Sequence, residues 1–208
     1  MSYPCSSILE VMGLISGVGA WFCLLATTLM PGWLTFNNEI TSTTENRVVG
    51  LWKSCVVDEL TGTECYPLKR PLYLSYNLRM ARIYMCISDA LGLLSILMAV
   101  PGLRLAKRWI GSQGRKVRCS LKITAGVLCL TAAAFGLYPV SRLAHATILE
   151  FNDVAIPDAV TRWELGNALY VGWVAGFFLV VSAMLFFASC CSLKEKEMLL
   201  KLLSRNKN

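Results

Sequence analysis

The chain has 208 residues, 55% of them hydrophobic, with a mean hydropathy of +0.54 and a formal net charge of +7. That much apolar surface does not suit a water-soluble single domain and points to segments that face lipid. A sequence pI near 9.0 would also fit a nucleic-acid binder, but the basic residues flank apolar runs where membrane orientation already requires them, which argues against nucleic acid as a partner.

Four segments are long enough to cross a hydrocarbon core of roughly 30 Å, which takes about 20 mostly apolar residues. They lie at about 8–30, 80–103, 121–141 and 165–189, and the only acid between residues 83 and 103 is Asp89. The first is read as a retained span and not a secretory signal, because residues 1–9 contain no Lys or Arg. Orientation follows from the basic bias of short loops. Arg104, Lys107, Arg108, Arg115, Lys116 and Arg118 lie between the second and third runs, and Lys122 at the start of the third, with no acid among them. That makes 104–120 a cytoplasmic loop and 190–208 a cytoplasmic tail, with extracellular loops at 31–79 and 142–164 and both termini inside. Basic juxtamembrane residues would also attract anionic membrane lipids.

In the first outer loop, stretches rich in Thr, Val, Trp and Tyr are broken by the turn-prone "DELTG", which predicts a small antiparallel sheet with Thr61-Gly62 at a tip. "PLYLSYNLRMARIY" then predicts a short outer helix leading into the second span. Of the nine cysteines, Cys55 and Cys65 fall on the two arms of that hairpin in the oxidising compartment, so a disulfide is the natural pairing. Zinc lacks ligands, since the one histidine, His145, lies in another loop. No nucleophile elbow, metalloprotease helix or phosphate-binding loop is present. The expectation is a protein that is not an enzyme, with no catalytic residues, metal or cofactor.

Within the spans, Asp89 reads as a hydrogen-bonded bundle residue or as part of a transport path, and a lone acid favours the former. Gly13/Gly17 and Gly172/Gly176 allow close helix approach, either inside the bundle or between neighbouring molecules. Pro139 is expected to bend the third span. Cys190 and Cys191, just inside the fourth span, are palmitoylation candidates or buried free thiols.

Trp33, then Gly50-Leu51-Trp52, then Cys55 and Cys65 form the W…GLW…C…C pattern of the claudin family. The sequence resembles that family over roughly residues 8–191. Further matching stretches are Arg82 in "MARIY", "PVS" at 139–141, Phe151 in "EFND" and "ELGNALYVGW" at 164–173. It looks most like the family's divergent members. The resemblance implies a membrane α+β fold, a left-handed four-helix transmembrane bundle carrying an extracellular five-stranded antiparallel sheet, in one domain over 1–208. It implies a structural and adhesive component of tight-junction strands at the plasma membrane. Such strands pair with the same or other claudins laterally and across cells, sealing the paracellular space or forming a charge-selective pore.

By the same resemblance Arg82 anchors the outer loop through backbone hydrogen bonds, Asp58 and Tyr66 are pore-lining candidates, and Leu72, Tyr73 and Leu74 are lateral-contact candidates. Phe151, Asn152 and Pro157 are candidates for contact between cells. Trp33 and Trp52 suit a membrane interface. Arg142 and Asn152 stand where the family commonly has aromatic residues. The ending "SRNKN" differs from the Tyr-Val type of tail offered to PDZ scaffolds, which argues against scaffold binding there. The alternative reading is a relative that regulates another channel or receptor as an auxiliary membrane protein; the missing Asn-x-Ser/Thr acceptor in the outer loops speaks against its myelin-like branch.

Overall fold

A computed structural model describes residues 4–38, 45–58, 62–68, 76–103, 112–151 and 163–205. Four helices dominate it: α1 (Pro4–Leu29), α2 (Tyr76–Gly102), α3 (Ser112–Phe151) and α4 (Asn167–Arg205). Each contains a stretch long and apolar enough to cross a membrane. Large apolar side chains such as Ile15, Phe22, Leu97, Phe177 and Met184 point outward, the arrangement expected where lipid is the solvent.

The predicted spans overlap the helices, the first two running one residue past the ends of α1 and α2, and the helix ends differ elsewhere too. At 1.5 Å per residue the 26 residues of α1 extend about 39 Å, whereas the 40 of α3 extend about 60 Å, roughly twice the hydrocarbon thickness. Thus α3 continues through Pro139 to Phe151, where a loop was expected from residue 142, and α4 continues well past residue 189. The short outer helix expected near 71–84 is represented by the start of α2 at Tyr76; Leu72, Tyr73 and Leu74 lie outside the described residues.

Around the bundle α1 packs chiefly on α4 and α2 on α3. Small residues make this close approach possible. A Cβ added at Gly17 would sit 2.8 Å from Ser182 Oγ, and one at Gly13 would sit 3.2 Å from the Phe186 ring. At Gly176 it would meet Leu137 at 2.4 Å, and at Gly172 it would meet Val140 at 2.8 Å. Both glycine pairs are therefore spent on packing within the chain. Hydroxyls bridge the helices: Ser88 Oγ donates to Ala132 O at 2.6 Å, Ser95 Oγ to Ala125 O at 2.9 Å and Ser182 Oγ to Gly13 O at 2.7 Å. Asp89 is held in the α1–α2 seam, where Thr28 Oγ1 donates to Oδ2 at 2.8 Å and Trp21 Nε1 to the main-chain oxygen at 3.0 Å.

At one end of the bundle sits a five-stranded antiparallel sheet in the order β4-β3-β2-β1-β5. Its strands are β1 (Leu34–Asn38), β2 (Glu45–Val49), β3 (Lys53–Asp58), β4 (Gly62–Pro67) and β5 (Trp163–Leu165). The last comes from the connection between α3 and α4, and Leu34, Thr35 and Phe36 pair with Leu165, Glu164 and Trp163. The two loops thus share one sheet.

The opposite end of the bundle holds a feature that sequence reasoning missed. Lys122, counted above among unopposed flanking cations, is fully buried on α3, with Nζ 2.5 Å from Glu10 Oε1 of α1 and 3.3 Å from Ser189 Oγ of α4. A buried ammonium is costly unless paired. Its acid is supplied from more than a hundred positions away in sequence, so inspection of the loop alone could not reveal it.

Candidate functional site

The sheet is seated on the bundle by the family-like residues. The β2–β3 connection is Gly50-Leu51-Trp52, closed by Gly50 N–H donating to Lys53 O at 2.9 Å. At Gly50 an added Cβ would lie 2.4 Å from Pro31 Cα and 2.8 Å from Met30 O, so only glycine lets this turn rest on the chain leaving α1. Leu51 is fully buried in the core beneath it. Arg82, near the start of α2, donates from Nε to the Leu51 carbonyl, and its guanidinium carbon stands 5.1 Å from the centre of the Trp52 ring. A cation over an indole face adds a modest attraction to a charge-assisted hydrogen bond. One side chain therefore ties a helix to both the backbone and the aromatic residue of the turn.

Trp33 is placed differently from the expectation of a membrane-interface ring. It is 0% exposed, and its Nε1 donates to Thr27 O at 2.8 Å, capping a carbonyl near the end of α1. Its main chain joins both neighbours: Trp33 N–H donates to Val49 O at 3.0 Å, and Gly166 N–H donates to Trp33 O at 3.1 Å. Nearby, Ala168 N–H at the start of α4 donates to Gly32 O at 2.8 Å. Trp52 is 40% exposed.

Cys55 and Cys65 are directly opposed in the β3–β4 register and joined as a disulfide, with Cα atoms 4.0 Å apart. Cys55 is buried, whereas β4 is exposed along its whole length and carries Cys65 at the edge of the sheet. Closing so short a ring contributes about 3 kcal/mol or somewhat less on the chain-entropy model. Gly62, at φ 89°, opens β4 opposite Asp58, the left-handed conformation that a tight hairpin demands.

Asp58 closes β3 and has Glu45 as its partner on β2, so two acidic positions face each other at this end of the sheet. Tyr66 is exposed on β4, and its hydroxyl donates to the Glu64 carboxylate two residues away on the same strand. That hydrogen bond, together with the negative charge of Glu64, pushes the phenol above its ordinary value. Phe151 ends α3, while Asn152 and Pro157 lie outside the described residues. Of the predicted thiols, Cys190 is buried against Cys119 of α3, whereas Cys191 is exposed. Of the two, only Cys191 presents its sulfur outward. Among the described residues the arrangement is a platform fixed to a bundle.

A family model described as "PMP-22/EMP/MP20/Claudin family" matches residues 7–186. Among relatives, Claudin-3 of Rattus norvegicus is 31% identical over 191 residues, covering 91% of this chain and 84% of that protein. Claudin-9 of Homo sapiens is 33% identical over 177 residues, 82% and 77% of the two chains. Claudin-17 of Sus scrofa is 30% identical over 191 residues, 91% and 84%. With a match running from α1 into α4, and relatives covered over most of their length, the chain belongs to the claudins of the PMP-22/EMP/MP20/Claudin family.

Proposed function

We propose that this protein is a structural and adhesive component of tight-junction strands, which sealing strands or paracellular pores would use through its sheet. The observation that carries this reading is the stapled five-stranded sheet, locked to the bundle by Trp33, Gly50, Leu51 and Arg82. A platform so fixed can hold charges at a set height above a membrane, which a gate or seal between cells requires. In this reading both termini are cytoplasmic, the sheet is extracellular, and the partners are other copies of this chain or other claudins.

Ion preference would be set by the acidic tip. Asp58 and Glu45 occupy partner positions in the register at the end of β2–β3, and carboxylates lining a narrow aqueous path attract cations. Two measurements test the proposal. Expressed in cells without tight junctions, the protein should concentrate at cell contacts and give fibrils by freeze-fracture; diffuse staining with a co-purifying channel would instead favour an auxiliary subunit. In an epithelial layer, Asp58→Asn with Glu45→Gln should lower the Na⁺ over Cl⁻ preference in dilution potentials. An unchanged preference removes the acidic pair from the pore.

A further inference from the structure

We propose that Cys119 and Cys190 are a reversible dithiol–disulfide couple that staples α3 to α4 at the end away from the sheet, leaving Cys191 as the outward thiol of the pair. Their Cα atoms are 5.3 Å apart, inside the range usual for disulfides. Cys190 Sγ also lies 3.9 Å from the Cys119 carbonyl oxygen, which places the Cys190 sulfur against this turn of α3. Consecutive residues on a helix project about 100° apart, and here that splits the dyad: Cys190 is 2% exposed and faces α3, while Cys191 faces away. The couple sits beside the buried Glu10–Lys122–Ser189 cluster, which fixes α1, α3 and α4 together and limits how far the two sulfurs can separate.

The half-buried Cys119 is the thiol that a peroxide reaches. Its sulfur attacks one peroxide oxygen, the O–O bond breaks, and one water leaves with a sulfenic acid formed on Cys119. Cys190 sulfur then displaces that oxygen as a second water, and the S–S bond forms. Two thiols are oxidised and one hydrogen peroxide is reduced to two waters. A dithiol reductant reverses the bond by exchange.

The test uses the full chain in membranes, treated with hydrogen peroxide or dithiothreitol, blocked with N-ethylmaleimide, digested without reductant and mapped by mass spectrometry. The linked Cys55–Cys65 peptide reports that the peroxide-treated sample is folded. Peroxide should yield a Cys119–Cys190 linked peptide, lost on reduction, with Cys191 alkylated in every condition. Cys191→Ser should keep that link, and Cys119→Ser should abolish it. Absence of the link in folded, peroxide-treated protein, or a Cys119–Cys191 link in its place, overturns the proposal.

Discussion

The buried Glu10–Lys122 pair makes a quantitative prediction that separates electrostatics from packing. Lys122→Met removes the ammonium at nearly constant volume and leaves the Glu10 carboxylate buried with the Ser189 hydroxyl at 3.3 Å. Glu10→Gln does the reverse and leaves the ammonium with Ser189 at 3.3 Å. Breaking a buried pair from one side costs about 3–5 kcal/mol, chiefly from the stranded charge. That is a factor of roughly 100 or more in the folded-to-unfolded ratio. Replacing both residues strands no charge, so the double variant should lie within about 1 kcal/mol of the parent or above it. The measurement is a double-mutant cycle by unfolding in mixed detergent micelles, followed by helix content and by accessibility of the buried Cys129. Single losses that simply add in the double variant would refute the coupling and return Lys122 to the role of an ordinary flanking cation.

Two further perturbations address the sheet. Gly50→Ala places a methyl group 2.4 Å from Pro31 Cα; overpacking of this kind costs about 1–3 kcal/mol or more, and faster proteolysis of the sheet than in the parent is the expected readout. Tyr66 carries a raised folded-state pKa because of Glu64, so the contribution of that contact is fully present below the unfolded phenol value of about 10 and is lost as pH rises through the higher folded value. Glu64→Gln should move the tyrosinate absorbance midpoint of Tyr66 downward, and a midpoint that stays in place would show that Glu64 is not the cause.

How much of this was legible in the sequence differs by element for physical reasons. The four spans announce themselves because a hydrocarbon core tolerates few charges, and the β3–β4 hairpin does so because two cysteines flank turn residues. Helix ends did not: "SRLAHATILE" after Pro139 mixes polar and apolar residues, yet it continues α3, since a helix leaving the bilayer no longer needs apolar residues on every face. Strand β5 is three residues long and exists through pairing with the edge of β1, a non-local contact with no local signature. Trp33 was misplaced because an indole suits an interface and a buried cap equally well, and only the free carbonyl of Thr27 decides between them. The glycine pairs were ambiguous for a similar reason, since a small residue says that something approaches closely without saying what.

The seat and the tip of the sheet are built from different materials, which in the proposed function lets one fold serve several permeabilities. The seat uses main-chain groups of Gly32, Trp33, Leu51, Gly166 and Ala168, with glycines where a Cβ would strike backbone. Few substitutions there leave the geometry intact. The far end of β2 and β3 places Glu45 opposite Asp58, and Asp58 opposite Gly62, with the disulfide three residues nearer the seat on each arm. Those positions can change charge without disturbing the hydrogen bonds that hold the platform. The identifying motif and the acidic positions therefore lie within one short segment but answer to separate constraints: GLW to backbone contact with the bundle and, in the proposed function, Asp58 to whatever passes or meets the sheet.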